Sequence, residues 1–207
     1  MAERQKRRGR LFVISGPSGT GKGTICKQLC EVPHVSLSVS MTTRKPRGGE
    51  TEGKSYYFVS EETFKETIAA GLFLEYAQVF GCYYGTPKQK VFDRLEAGED
   101  VILEIDTQGA AQVKERHPEG VFIFILPPSM RELRKRITER GTETAEMIDA
   151  RLGEAMGEIA RIGLYDYCVV NSALSEALAK VKAIIAAERA RVPEDTCALI
   201  KKYKEEL

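Results

Sequence analysis

The chain has 207 residues, with 31 Lys plus Arg against 30 Asp plus Glu, a formal net charge of +1 and 43% hydrophobic residues. That length buries a substantial core, most simply as one compact domain with small insertions. The near-neutral balance gives no field for holding nucleic acid or an anionic membrane, so any polyanion has to be held by a local cluster. The longest apolar run, Val121 to Leu126, stops at Pro127-Pro128, far short of the roughly 20 residues a membrane-spanning helix needs, so no transmembrane segment is expected.

The opening MAERQKRRGR carries five basic side chains and reads as a solvated tail over residues 1–10. The apolar stretch after it, Leu11 to Ile14, is too short for a signal-peptide core, so a cytoplasmic location is expected. Leu11–Ile14 reads as a strand that runs directly into Gly16-Pro17-Ser18-Gly19-Thr20-Gly21-Lys22-Gly23-Thr24, and Ile25 to Cys30 reads as a helix. Strand, glycine loop and helix in that order form a phosphate loop. The glycines let successive N–H groups point inward at a polyphosphate, the helix N-terminus adds its positive end, and Lys22 brings a mobile charge. A nucleoside triphosphate is the implied ligand. The hydroxyl residue that usually follows the lysine and meets Mg²⁺ is here Gly23, with Thr24 one place later, so the metal ligands are left unassigned.

Val35 to Ser40 alternates strictly, and Tyr56–Val59 and Val79–Tyr84 read as further short strands around glycine turns, a pattern suited to a half-exposed antiparallel sheet. An inserted lobe is expected at residues 36–88, with one helix, Glu61–Ala70, ended by Gly71. In it Arg44 and Arg47 flank a rigid Pro46, with Tyr56 nearby. Two guanidinium forks and a phenol make a cradle for a phosphate monoester. Glu75, Tyr83, Tyr84 and Thr86 put a carboxylate, two phenols and a hydroxyl among apolar residues, groups that can read the edge of a base.

Val101–Ile105 is a strand that ends at Asp106, which is either the second acid of the nucleotide site or the cap of the next helix. With Val121–Leu126 and Tyr167–Val170 it completes a βαβα rhythm, which predicts a parallel sheet with helices on both faces. Two charged helices, Ser129 to Arg140 and Thr144 to about Ile162, flank Gly141 and have the organisation of a lid, with Ser129 and Thr144 as N-caps. Helices from Ser175 to Arg191 and from Pro193 onward follow. Cysteines 26, 30, 82, 168 and 197 form no Cys-x-x-Cys pair, and only His34 and His117 accompany them, which argues against both a disulfide framework and a zinc site.

From about Leu11 to Val192 the sequence resembles the guanylate kinases. The motifs are GPSGTGKG at Gly16–Gly23, SMTTRKPRGGETEGKSYYF at Ser40–Phe58, FLEYAQVFGCYYGTP at Phe73–Pro87, ILEIDTQG at Ile102–Gly109, and RGTET with the following Arg151. The resemblance implies a three-layer α/β P-loop fold. Its core would be residues 11–35 and 89–207 with a parallel central sheet, its lid about 131–151, and its inserted mixed α/β lobe for a nucleoside monophosphate 36–88. It implies transfer of the γ-phosphoryl of ATP, carried with Mg²⁺, to GMP or dGMP, giving ADP and GDP, with no nucleic-acid or membrane partner. By this match Arg44, Arg47, Tyr56 and Tyr84 hold the GMP phosphate, and Ser40, Glu75, Thr86 and Asp106 read guanine. Lys22, Arg140 and Arg151, with Arg44, serve the transferred phosphoryl, and Asn171 meets the donor. The family pattern carries an acidic residue after that asparagine, where this chain has Ser172.

The chemistry agrees with that carry-over. Guanine presents N1–H and its 2-amino group side by side, and one carboxylate such as Glu75 can accept both. Adenine would leave that charge unpaired, a defect that can discriminate by roughly 10⁴-fold. Two rivals stand beside this reading: a peptide-binding scaffold domain, which typically lacks the intact phosphate loop that this chain retains at Gly16, Gly21 and Lys22, and a P-loop kinase for another phosphorylated acceptor.

Overall fold

The computed structural model describes residues 8–79, 81–139, 144–192 and 196–205. In chain order the elements are β1 (Leu11–Ser15), α1 (Lys22–Leu29), β2 (Val35–Leu37), β3 (Met41–Thr42), β4 (Tyr57–Phe58), α2 (Glu61–Ala69), β5 (Phe73–Val79), β6 (Cys82–Pro87) and α3 (Lys88–Glu96). There follow β7 (Asp100–Glu104), α4 (Thr107–Arg116), β8 (Val121–Leu126), α5 (Met130–Thr138), α6 (Ala145–Ile159), β9 (Tyr167–Val170), α7 (Leu174–Arg189) and α8 (Thr196–Glu205).

Five strands form a parallel sheet in the order β2-β7-β1-β8-β9. Every residue of β1 is buried, and the two-residue period of a strand divides its side chains between two cores. Phe12 and Ile14 pack with Ile25 and Leu29 of α1 and Val181 and Ile185 of α7. Leu11 and Val13 pack on the other face with Val91 and Leu95 of α3 and Val113 of α4. This is the three-layer α/β arrangement expected from the sequence, and the carboxyl ends of β1 and β7 open onto one crevice, where ligands of such sheets bind.

A second sheet, in the order β4-β3-β6-β5, joins antiparallel and parallel pairs. Two expectations are corrected here. Val35–Leu37, expected to belong to an alternating antiparallel strand with residues 36 and 37 in this lobe, pairs in parallel with β7 as an edge of the core sheet; an edge strand is covered on fewer sides, so its residues alternate as an antiparallel strand's would. Val79–Tyr84, expected as one strand, contains the end of β5, the turn at Gly81 with φ 78°, and the start of β6. Glu75 lies inside β5, opposite Thr86 of β6.

Side-chain hydroxyls cap α2, α5 and α6, with Ser129 and Thr144 as expected from the sequence. Ser60 Oγ accepts the Thr63 N–H at 3.1 Å to open α2, Ser129 Oγ the Glu132 N–H at 3.1 Å to open α5, and Thr144 Oγ1 the Met147 N–H at 3.4 Å to open α6. Helices α5 and α6 share a small core of Leu133, Ile137, Ile148 and Ala155. Arg140 and the Gly141 hinge lie outside the described residues. Among the described residues no helix is long and apolar enough to cross a membrane.

Candidate active site

The phosphate loop leaves the end of β1 and closes at Gly21, which opens α1 in the left-handed region at φ 89°. A Cβ there would be both strained and within 2.6 Å of Asn171 Nδ2, so only glycine fits. Thr20 Oγ1 donates to the Pro17 carbonyl at 2.9 Å, and Lys22 Nζ donates to the carbonyls of Gly16 and, at 2.9 Å, Pro17. Burial pushes the Lys22 ammonium below its ordinary pKa and the neighbouring Glu104 carboxyl above its own, each group moderating the other's shift. Asn171, assigned to the donor, is buried and donates from Nδ2 to the Thr20 carbonyl at 2.7 Å, while its own carbonyl accepts from Arg136 at 3.1 Å. It thus braces the phosphate loop from β9's end.

One cleft runs from this loop to the lobe. Its walls contain Gly16, Ser18, Lys22, Ser40, Arg47, Tyr56, Glu75, Tyr84, Asp106 and Arg151, all singled out from sequence, together with Glu104, Glu154 and Glu158, which were not. Arg151, on α6, reaches Ser18 Oγ at 3.4 Å, so this helix stands over the loop. Glu154 and Glu158 lie three and seven residues after Arg151, the spacing of one helix face; that spacing was the signal available for them. Burial raises the Glu158 carboxyl pKa, with Lys22 opposing the rise.

At the lobe end, Glu75 is 2% exposed. Thr86 Oγ1 donates to its Oε1 at 2.5 Å. Burial pushes its pKa from 4.5 up to about 7, against the hydrogen bonds from Thr86. Thr86 is itself buried, bonds Glu75 and is not among the residues that line the cleft. Asp106 is the N-cap of α4, Oδ1 accepting from Gln108 at 2.7 Å and Gly109 at 3.1 Å, as one of its two readings expected, and it also lines the cleft. Arg44 does not line the cleft directly. Its guanidinium bonds Glu50 at 2.7 Å and lies 5.4 Å from the Tyr56 ring centroid, and the Glu50 partnership holds it protonated. Glu50 also accepts the Arg47 N–H at 2.7 Å, which makes it the brace of both arginines, a role not read from the sequence. Tyr56 and Tyr84 meet edge to face at 6.0 Å.

Among the described residues no three His, Cys, Asp or Glu are grouped to hold a metal. A Mg²⁺ that arrives on a nucleotide needs only one or two protein carboxylates beside phosphate and water oxygens. Glu104 answers that need: it faces the cleft, and a Cβ on Gly23 would lie 3.3 Å from its Oε1. A carboxylate therefore stands beside the position where the usual hydroxyl residue is missing.

A parallel α/β sheet, a phosphate loop at its crevice and a second lobe that sets Arg47, Tyr56 and Tyr84 in the same cleft are the features of a P-loop nucleotide-binding kinase. Comparison with known proteins narrows the class. The guanylate kinase family model matches residues 8–188. The chain is 57% identical over 185 residues to the guanylate kinase of Clostridium tetani, covering 89% of each. It is 51% identical over 202 residues to that of Clostridioides difficile, covering 97% of this chain and 98% of the other. The crystal structure of guanylate kinase from Anaplasma phagocytophilum superposes with a TM-score of 0.77 at 37% identity, over 90% of this chain and 89% of that one. The chain belongs to the guanylate kinase family and is an enzyme of it.

Proposed function

We propose that the protein transfers the γ-phosphoryl group of ATP to GMP, and less efficiently to dGMP, giving ADP and GDP by direct in-line transfer. The observation that carries the acceptor is Glu75, a buried carboxylate facing the same cleft as Lys22. Its two oxygens suit guanine N1–H and the 2-amino group, Ser40 supplies a hydroxyl, Thr86 holds the carboxylate through its own hydroxyl, and Asp106 lines the same cleft. Arg47, Tyr56 and Tyr84 receive the GMP phosphate, with Arg44 beside them, held by Glu50.

On the donor side, backbone N–H groups from Ser18 to Thr24 surround the ATP phosphates, and Lys22 exchanges its loop carbonyls for phosphate oxygens. Asn171 serves this side by fixing Thr20. Arg151, already at Ser18, and Arg140 neutralise charge on the transferring group. Mg²⁺ bound with ATP would be met by Glu104 and would neutralise phosphate charge. The lobe of β3–β6 with α2 and the lid of α5 and α6 exclude water from the cleft, so that transfer to GMP outcompetes hydrolysis. No covalent intermediate is required, since alignment and charge neutralisation supply most of the acceleration. A cytoplasmic location suits its five unpaired cysteines.

The test is one coupled assay with ATP and, in turn, GMP, dGMP, AMP, IMP and ribose phosphates. GMP is expected to lead, dGMP to follow, and AMP to fall roughly 10⁴-fold lower. Equal use of AMP, or preference for a ribose phosphate, would overturn the assignment.

A further inference from the structure

The strand that carries Glu75 is the outer strand of its sheet, next to β6 on one side only. An outer strand leaves a row of backbone N–H and C=O groups without a ladder partner. Along β5 that row is met by a helix of the core. Gln112 Nε2 donates to the Tyr76 carbonyl at 2.6 Å, and Gln112 Oε1 accepts the Tyr76 N–H at 3.4 Å. One side-chain amide thus gives a single residue both bonds that a neighbouring strand would give. Arg116, one turn further along α4, donates to the Leu74 carbonyl at 2.9 Å.

These contacts fall at positions 74 and 76, on either side of Glu75. They also fall where the ladder with β6 is weakest, since the register shifts between Phe73 and Glu75. The same stripe of α4 makes room for the carboxylate. Gly109, three residues before Gln112, has no side chain, and a Cβ there would collide with Glu75 Oε2. Gly109, Gln112 and Arg116 therefore occupy one helix face at spacings of three and four, and that face receives the Glu75 carboxylate and both flanking peptides. The helix starts at Asp106, which shares the cleft with Glu75.

We propose that Gln112, supported by Arg116, is a positioning residue for acceptor specificity: it stands in for a missing strand and fixes the Glu75 carboxylate relative to the cleft. It touches no substrate. This rests on the reading of Glu75 as the group that accepts the guanine donors. A carboxylate that must meet two donors at once tolerates little displacement, whereas one donor can be followed by a small rotation. Loss of the clamp should therefore harm GMP, with N1–H and a 2-amino group, more than IMP, which has N1–H alone.

The experiment compares the parent with Gln112→Met, which keeps length and removes both bonds, and Gln112→Glu, which keeps an acceptor but sets a carboxylate against the Tyr76 carbonyl. The readouts are kcat and KM for GMP and IMP at saturating ATP, KM for ATP, and the thermal unfolding midpoint. Both variants are expected to raise KM for GMP about tenfold, to shrink the GMP-over-IMP ratio by a similar factor, and to leave KM for ATP within about twofold. A role confined to holding the fold would lower the unfolding midpoint and weaken both acceptors equally, and that result would overturn the proposal; so would an unchanged KM for GMP. Should Gln112→Met fail to fold, Gln112→Glu decides by the same ratio. Glu75→Gln separates the two claims. If it leaves the GMP-over-IMP ratio intact, the reading of Glu75 fails. If it collapses the ratio while the Gln112 variants do not, only the clamp is overturned.

Discussion

Replacing Glu75 with glutamine is expected to stabilise the protein and damage its activity at the same time. In the folded chain burial lifts the Glu75 pKa from 4.5 to about 7. At about 1.4 kcal/mol for each pH unit, that difference is worth roughly 3 kcal/mol. The folded value lies above the unfolded one, so the folded state holds an extra proton between about pH 4.5 and 7, and stability falls as pH rises through that window. Above it, the ionised carboxylate opposes folding by the full amount. A neutral glutamine at this position is free of that penalty and can still accept the Thr86 hydroxyl. Urea unfolding should find Glu75→Gln more stable than the parent by up to roughly 3 kcal/mol at pH 8 and nearly equal to it at pH 4.5. Steady-state kinetics should find the reverse: loss of a charged acceptor raises KM for GMP by roughly 10²-fold, more than it lowers kcat. In the parent, KM for GMP should rise as pH drops below about 7, because only the ionised carboxylate accepts both guanine donors. The phosphate of GMP titrates near pH 6 as well, and the glutamine variant carries that background alone. A variant no more stable at pH 8, with a GMP KM that responds neither to the substitution nor to pH, would refute the reasoning.

Lys22→Ala should abolish measurable transfer while GMP binding, followed by calorimetry, stays largely intact, because the lysine sits on the phosphate loop and the guanine reader on β5; lost GMP binding in a folded variant would contradict the two-site layout. Arg151→Ala should lower kcat by roughly 10²-fold with little change in KM for GMP, in line with arginines that neutralise transferring phosphoryl groups; near-normal kcat would leave Arg151 a structural role beside Ser18. Glu104→Gln should raise the Mg²⁺ concentration for half-maximal activity several-fold, on the order of a lost charge-assisted ligand; an unchanged Mg²⁺ titration would remove Glu104 from the metal's surroundings. Gly109→Ala should raise KM for GMP by about tenfold or more, because its new methyl group displaces Glu75; an unchanged KM would show that the carboxylate's place is immaterial.

Features whose physics is local were legible in the sequence. The phosphate loop depends on consecutive residues and a preceding strand, and Ser129 and Thr144 each cap within three residues. Arg47, Tyr56 and Tyr84 could be grouped because they belong to one short lobe. What was not legible depends on long separations or on the edges of sheets. Asn171 braces Thr20 across 151 residues, and no local pattern announces such a bond. Val35–Leu37 alternates because it is an edge strand of the core, and alternation records exposure more directly than strand direction. The aromatic run that ends in Tyr84 concealed a hairpin turn whose one sign was Gly81. Glu50 escaped notice because acidic residues near arginines read as ordinary surface charge, while its task is to hold Arg44 and the Arg47 backbone together.

A crystal structure of the complex with GMP and a non-hydrolysable ATP analogue bears most directly on the division of the cleft into a guanine end and a phosphate end. Guanine should place N1–H and its 2-amino group on the Glu75 carboxylate, the GMP phosphate should lie among Arg44, Arg47, Tyr56 and Tyr84, and Lys22 should have left the Gly16 and Pro17 carbonyls for the analogue's phosphate oxygens. A GMP base bound away from Glu75, or an analogue whose phosphates miss the Gly16–Thr24 loop, would contradict that division.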